Sequence, residues 1–384
     1  MDIIATLRPE GRERNLSLDL LRGVANLAIF LDHIPNNVMN WVTTRNYGSS
    51  DAADLFVFIS GYTAAFVYGR MMAERGLIFG ATRIFKRVRQ LYIAHILLLV
   101  VYIVAVDYLA GTYNASDVVR EFNIDGLIVS PVETLSQGLL LNFKPLNLDI
   151  LPLYIVLMAL FPPVLWLMLR KPDLTIGLSL LLYVAARQFD WNLAAYPTGN
   201  WTFNPFCWQL LFMFGAWFAL GGESEARAVV DSRISLYCGI VYLLFSFAMT
   251  MAGRLPDLGA MLPQPLLDAF NPADSTDLTP YRVLHFVVIA LLVIRFMPKD
   301  WHGPQWRILD PVIKCGQSIA VFCVGLLLAC VAQFVLMTST RSLVLQIVVS
   351  LSGVAIMTAV AYYISWSKKE DELLLRRPAS AHLP

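Results

Sequence analysis

The feature that most constrains this chain is a succession of apolar runs, several of them as long as a bilayer is thick. A membrane-spanning helix needs about 20 predominantly apolar residues. Candidate spans cover residues 18–40, 52–72, 91–111, 150–169, 174–188, 207–221, 234–252, 282–297, 316–337 and 342–366. Because little sequence remains between them, we expect an all-α, polytopic membrane protein with about ten transmembrane helices in a single integral-membrane domain, residues 1–384.

The composition favours the same class of protein. Hydrophobic residues make up 57% of the sequence and charged residues 15%, whereas soluble domains carry roughly 25% charged residues. The formal net charge is only +1. A nucleic-acid partner is therefore not expected, because such partners are bound by concentrated positive charge.

The basic residues predict the orientation. An even number of spans puts both termini on one side of the membrane, and cytoplasmic loops are enriched in Lys and Arg. With both termini in the cytoplasm, seven of the 29 basic residues remain outside: Arg45, Arg120, Lys144, Arg187, Arg254, Arg282 and Arg341. We therefore expect cytoplasmic tails at residues 1–17 and 367–384, on either side of a ten-helix bundle at residues 18–366.

Ionisable residues interrupt the first two predicted spans or lie at their ends: Arg22, Asp32, His33, Asp51 and Asp54. Such groups cost several kcal/mol in a bilayer unless they are partnered or face water. His33 is the one near-neutral base deep in a span, which makes it a candidate catalytic base. Asp32 points about 100° away on a regular helix and would orient His33 only if Pro35 distorts the turn, so Asp54 is the better candidate for holding the imidazole.

A basic segment joins the second and third spans. Arg83, Lys86 and Arg87 fall at i, i+3 and i+4, on one face of a helix, and Arg89 follows. One interpretation is a topology anchor against anionic lipid headgroups. The other is a phosphate site, formed together with Arg22, for a cytoplasmic ligand such as a coenzyme A ester.

Polar residues in the outer segments also allow two interpretations each. Trp201, Asn204, Trp208 and Gln209 belong to a stretch that is either an interfacial aromatic belt or a sugar-binding cleft. The other residues with two interpretations are Arg45, Asp51, Asp149 and His285. Asp51 and Asp149 could complement helix N-termini or bind substrate, and His285 could be structural or contact substrate directly.

Nothing in the sequence predicts a metal site. The five cysteines lie in or beside apolar runs without CxxC spacing, which is typical of packing residues. Sequence motifs for nucleotide-binding loops, serine-hydrolase elbows and HExxH zinc sites are absent.

Several segments in order resemble a known family. LDLLRGVANLAIFLDHIP, RNYGSSDAADLFVFISGYTAAFVYGR, LDILPLYIVLMAL, FNPFCWQLLFMFG and YRVLHFVVIALL are similar to signature segments of the OpgC family of membrane succinyltransferases for osmoregulated periplasmic glucans. More distantly, Arg22 followed by His33 resembles the arginine and histidine pair of acyltransferase-3 type membrane acyltransferases.

The resemblance implies a bacterial inner-membrane enzyme that moves a succinyl group from cytoplasmic succinyl-CoA to hydroxyls of periplasmic glucan, at an active site facing the periplasm. His33 matches the family's candidate base and Arg22 its basic residue on the cytoplasmic side. Arg45 could then pair either with the succinate carboxylate or with Asp51. Succinyl-CoA would be a substrate, and the resemblance implies no metal.

The chemistry of the residues agrees with acyl transfer. A thioester is already activated, so transfer needs mainly a base for the hydroxyl, donors for the oxyanion and alignment of the reactants. The alternative is a proton-coupled transporter or flippase in which His33 and Asp54 act as a relay.

Overall fold

A computed structural model describes residues 16–113, 116–271, 275–296 and 305–376 of the chain. Over these ranges the chain is helical, apart from turns, loops and two isolated bridges. Most of the predicted N-terminal tail, and the last eight residues of the C-terminal one, lie outside these ranges.

The α-helices are numbered in chain order. They are α1 Leu16–Asp32, α2 Ala52–Arg75, α3 Leu77–Thr112, α4 Ser116–Glu121, α5 Gly126–Val129, α6 Pro131–Leu139, α7 Ile150–Met168, α8 Pro172–Gln188, α9 Pro205–Trp217, α10 Glu223–Asp231, α11 Arg233–Arg254, α12 Pro256–Gly259, α13 Gln264–Phe270, α14 Pro280–Phe296, α15 Asp310–Cys315, α16 Ile319–Thr338 and α17 Leu343–Arg376. Short 3-10 turns occupy Val38–Val42, Thr44–Asn46 and Arg307–Leu309, and a π-turn at Phe218–Gly222 continues α9.

Each predicted span corresponds to one of these helices, which confirms the all-helical class. Among the described residues, seven helices are long and apolar enough to cross a membrane, namely α2, α3, α7, α9 with its π-turn, α11, α16 and α17. The other three predicted spans correspond to α1, α8 and α14, which have 17 residues each. The count of ten spans and the cytoplasmic termini stay predictions.

Two predicted boundaries were wrong. The first span was expected to reach residue 40, but α1 ends at Asp32 and a turn follows. Pro35 accounts for this end, because a proline disfavours helical backbone in the residue before it. The basic segment between the second and third spans was expected to be a connection, but only Gly76 separates α2 from α3. Residues 77–90 are thus the first turns of one 36-residue helix.

Backbone contacts divide the chain into two compact units. The first, the 40–300 unit, holds the described residues 40–113, 116–271 and 275–296, and the second holds the described residues 16–39 and 305–376. The second unit is formed by α1, α15, α16 and α17 around a core that includes Phe30, Ile34, Val321 and Met357. The Asn26 side chain donates to the Cys315 carbonyl at 2.9 Å, which ties α1 to α15. A single domain for the whole chain stays a prediction.

In the 40–300 unit, α2 packs tightly against α9 because glycines face the contact. A Cβ at Gly61 would come within 1.9 Å of the Phe212 carbonyl oxygen, and one at Gly215 within 2.0 Å of the Phe58 oxygen. Small residues allow helix backbones to approach closely in membrane proteins. Asp51 caps this same helix α2, and Asp54 lies in its first turn.

Residues 126–149, which were expected in an outer loop, fold back along α3. The Tyr92 hydroxyl donates to the Leu139 carbonyl at 2.9 Å, and Gly138 packs against Leu99. The side of this segment away from α3 exposes large apolar residues: Ile128, Val129, Val132, Leu135, Leu139 and Leu140. Part of the predicted outer loop therefore lies against the middle of a long apolar helix.

Candidate functional site

A buried salt-bridge network, the arginine cluster, lies at the start of α2 and consists of Asp51, Asp54 and Arg282. Arg282 of α14 donates to both oxygens of Asp54, at 3.1 and 2.7 Å, and lies 2.8 Å from Asp51. Asp54 and Arg282 are 0% and 3% exposed. Paired, hydrogen-bonded charges are the form in which charge is tolerated in an interior.

Asp51 also caps the helix, as its dipole interpretation predicted. Its side chain accepts from the Ala53 amide at 2.8 Å, while Asp54 accepts from the Asp51 amide at 2.9 Å. This reciprocal arrangement is a capping box. Burial raises the pKa of Asp51, but the Arg282 guanidinium and the Ala53 amide outweigh burial, so the pKa lies below its ordinary value.

His285, three residues after Arg282 on α14, is buried behind the loop that precedes α2. Its Nδ1 lies 2.6 Å from the Ser50 hydroxyl and 3.2 Å from the Ser50 amide nitrogen. An amide N–H can only donate, so Nδ1 is the acceptor and the neutral ring carries its proton on Nε2. The loop is built closely around this ring, since a Cβ at Gly48 would come within 2.1 Å of Nε2.

A cavity of about 820 Å³, called the polar cavity, borders the arginine cluster at Asp51 and Arg282. It is bordered by the loop before α2, the end of α11, the 256–271 segment and α14. Its charged or amide lining residues are Arg45, Asp51, Arg254, Gln264, Asp268, Asn271 and Arg282, and its hydroxyl-bearing ones are Ser49, Ser50, Thr250 and Ser275. Carboxylate, amide, guanidinium and hydroxyl groups together can bind a ligand rich in hydroxyls.

The polar cavity brings together only some of the predicted substrate residues. Arg45 and Asp51 line it, and the positive charge of Arg45 acts on Asp51. Arg282 was missed as a partner of Asp54. Its signal in the sequence was an arginine at the start of an apolar run, on the same helix face as His285.

The predicted sugar residues of α9 are buried and hydrogen-bonded within the unit. Asn204 caps α9 and donates to Asp277 at 2.7 Å, and Gln209 donates to the Ser179 carbonyl at 2.8 Å. Trp208 Nε1 donates to the Ser275 carbonyl, and its ring lies 5.5 Å from the Arg282 guanidinium. Trp208 thus packs against the arginine cluster, while sugar binding by these side chains stays a prediction.

In the second unit, His33 directly follows the last residue of α1 and is partly exposed. Its Nδ1 lies 2.6 Å from the Ile29 carbonyl oxygen. A carbonyl can only accept, so Nδ1 carries the proton of the neutral ring and Nε2 presents the lone pair. Asp32 is partly exposed at the end of α1. Orientation of His33 by Asp32 or by Asp54 stays a prediction.

The predicted phosphate-binding residues lie on two helices, one in each unit. Arg22 of α1 lies 3.8 Å from Asp19 and donates to the Gly316 carbonyl at 3.4 Å. On α3, Arg83, Lys86 and Arg89 are exposed and Arg87 is partly buried. The helix places Arg83, Lys86 and Arg87 on one face, as predicted. Phosphate binding stays a prediction.

A second group, the lysine cluster, consists of the buried His95, Lys144 and Trp201 and the partly buried Asp149. The Lys144 ammonium lies 3.6 Å from the centre of the Trp201 ring. The charge of Lys144 also acts on His95 and on Asp149. Among the residues that the structure describes, Lys144 Nζ, Trp201 Nε1 and both ring nitrogens of His95 are buried without a hydrogen-bond partner.

Burial shifts the pKa values of Asp149 and Lys144, two ionisable residues of the lysine cluster. Burial raises the pKa of Asp149 to about 6, against the opposing effects of the Lys144 charge and a hydrogen bond from Thr202. Burial lowers the pKa of Lys144 to about 8, although Asp149 favours the ammonium form. Asp149 directly precedes α7, but its side chain makes no capping hydrogen bond.

Within the described ranges, no group of three or more His, Cys, Asp or Glu side chains is arranged to hold a metal ion. None of the cysteines Cys207, Cys238, Cys315, Cys323 and Cys330 is joined to another in a disulfide.

Comparison with known proteins yields one result. The family model for the OpgC protein matches residues 14–369. Neither the curated proteins nor the solved structures gave a match. The matched range covers most of the chain and includes every candidate site residue, and the helices are those of a multi-pass membrane protein. The chain belongs to the OpgC family, and this family membership implies a membrane acyltransferase for periplasmic glucans.

Proposed function

We propose that this protein transfers a succinyl group from succinyl-CoA to hydroxyls of a periplasmic glucan, with His33 as the general base. The protein then lies in the bacterial inner membrane, with both termini in the cytoplasm. The observation that carries the role of His33 is the hydrogen bond from Nδ1 to Ile29. It leaves Nε2 as the nitrogen that can accept a proton, which is the form of imidazole that a base requires.

The reaction can be written with these groups. His33 Nε2 takes the proton of a glucan hydroxyl as its oxygen attacks the thioester carbonyl. The new carbon–oxygen bond forms, the carbon–sulfur bond breaks, and the departing thiolate of coenzyme A receives the proton that His33 took, which regenerates the base. The products are a glucan succinate ester and free coenzyme A. Asp54 or Asp32 would orient His33, but both Asp54 oxygens already accept from Arg282 and the Asp51 amide.

Donor and acceptor are proposed to use different surfaces. The exposed Arg83, Lys86 and Arg89 and the partly buried Arg87 suit the phosphates of coenzyme A, because arginine forks match phosphate geometry. Arg22 is proposed as a separate phosphate contact. The polar cavity suits the glucan, since its lining combines acids, amides and hydroxyls. It lies between two segments that the sequence predicts on the periplasmic side, residues 43–50 and 253–280.

The base assignment is tested by His33→Ala and His33→Gln. Each variant should insert and bind succinyl-CoA like the wild type yet lose about two or more orders of magnitude in transfer rate, the usual contribution of general base catalysis. Release of free coenzyme A by purified protein, with and without glucan, measures the rate. Near-normal turnover in either variant would rule out His33 as the base. Transfer by the wild type also excludes the transporter alternative.

A further inference from the structure

We propose that Lys144 of the lysine cluster binds the free carboxylate of the acyl group, and so selects a dicarboxylic acyl donor over a neutral one. This inference rests on the proposed function, because it concerns the acyl donor of that reaction. It assigns the cluster a role in acyl-group specificity, whereas His33 is proposed as the base.

Lys144 is a buried cation whose N–H groups make no hydrogen bonds within the described residues. The residue is 7% exposed, and none of its three N–H donors has a hydrogen-bond partner in the described part of the chain. Burying a charge without hydrogen bonds is costly. The Trp201 ring at 3.6 Å and the charge of Asp149 offset part of that cost, but neither satisfies an N–H group.

Near Lys144, further buried nitrogen atoms also lack hydrogen-bond partners within the described residues. His95 is 0% exposed and Trp201 is 2% exposed, and their ring nitrogens are also without partners. A neutral imidazole always carries one N–H and one acceptor nitrogen, and an indole carries one N–H. Buried polar groups are normally hydrogen-bonded. A carboxylate has two oxygens that can accept several such hydrogen bonds, and its charge matches a single ammonium.

The lysine cluster lies far from both ends of α3. His95 lies midway along the 36-residue α3, and the segment that carries Lys144 folds back along this helix. A succinyl group carries its negative charge at the end of a short apolar chain. Moving that charge into a low-dielectric bundle is unfavourable unless a cation meets it there.

Arg45 is the competing partner for the carboxylate, and its position makes it a poor discriminator. It lines the polar cavity with an exposed side chain, where water already solvates a carboxylate. Exposed ion pairs contribute little. A buried ammonium instead distinguishes a charged acyl group from a neutral one, because only the charged group satisfies it.

The test compares binding of succinyl-CoA and butyryl-CoA, which differ by a carboxylate in place of a methyl group, to purified full-length protein without glucan. The wild type should prefer succinyl-CoA, and Lys144→Met should reduce that preference by roughly 10- to 100-fold, the range for a hydrogen bond to a charged group. Lys144→Arg should retain most of the preference. Lys171→Met, which removes an exposed lysine, should leave it unchanged.

Three outcomes would overturn the inference: equal binding of the two thioesters by the wild type, an unchanged preference in Lys144→Met, or a preference lost in Arg45→Gln instead. Thermal unfolding of Lys144→Met checks that the variant is folded. Lys144→Arg keeps the positive charge and so tests whether charge alone is enough for the preference. Transfer to glucan is measured separately. A protein that binds succinyl-CoA selectively through Lys144 but transfers nothing would refute the proposed function and leave the inference standing.

Discussion

The arginine cluster and the lysine cluster both bury charge in the 40–300 unit, yet they satisfy it differently. Arg282 donates to both oxygens of Asp54 and pairs with Asp51, which in turn caps α2. Lys144 lies against an aromatic ring, with Asp149 nearby but outside salt-bridge distance, and its ammonium has no hydrogen-bond partner in the described ranges. The hydrogen bonds of the first network are complete within the protein, whereas those of the second are not.

This difference separates a structural role from a binding role. A fully paired network holds elements together, here α2 and α14 beneath the polar cavity. An incompletely satisfied group lowers stability, and proteins keep such groups where function needs them. The two clusters should therefore respond in opposite directions when their cations are removed.

The largest effect is expected for Arg282→Gln. It leaves Asp54 buried with its charge partner gone, and breaking one side of a buried ion pair typically costs about 3–5 kcal/mol. Thermal unfolding in detergent should show a strongly destabilised protein. Arg45→Gln, at the exposed rim of the polar cavity, is the matched control and should change stability little. A small effect of Arg282→Gln would show that the arginine cluster is not a structural network.

A smaller effect of opposite sign is expected for Lys144→Met. The variant keeps an apolar stem of similar length against Trp201 and removes an ammonium without hydrogen bonds. It also leaves Asp149 without its nearby cation, but burial already raises the pKa of Asp149 to about 6, so this carboxylate can take up a proton at small cost. The unliganded protein should therefore be as stable as the wild type or slightly more stable. Thermal unfolding without acyl-CoA measures this. A loss as large as that of Arg282→Gln would mean that Lys144 is held by interactions as strong as those of the arginine cluster, and the contrast would fail.

The sequence predicted the helices better than it predicted the side-chain contacts between them. Each apolar run became a helix, because length and hydropathy suffice to predict one. The pairing of Asp54 with Arg282 was missed because the two are 228 positions apart, and no local pattern reports such a contact. Trp201 was assigned either to an interfacial aromatic belt or to a sugar-binding cleft. In the structure it is buried against Lys144, which had been counted only as an outside charge.

Two local errors have physical reasons. Periodicity extended the first span past Asp32, although Pro35 signalled its end. Residues 115–149 were assigned to an outer loop because they mix acids, amides and aromatics, and packing of this segment along α3 was not foreseen. Its position along α3 depends on contacts such as Tyr92 with Leu139. Sequence reasoning therefore placed the helices well and the buried polar contacts poorly.

The most direct test of acyl transfer to a periplasmic glucan is a sided assay in sealed vesicles that hold glucan inside and expose the cytoplasmic face outside. Succinyl-CoA added outside should release free coenzyme A outside and yield succinylated glucan inside, and vesicles with His33→Gln should do neither. Succinylation only when donor and glucan are supplied on the same side would contradict transfer across the membrane.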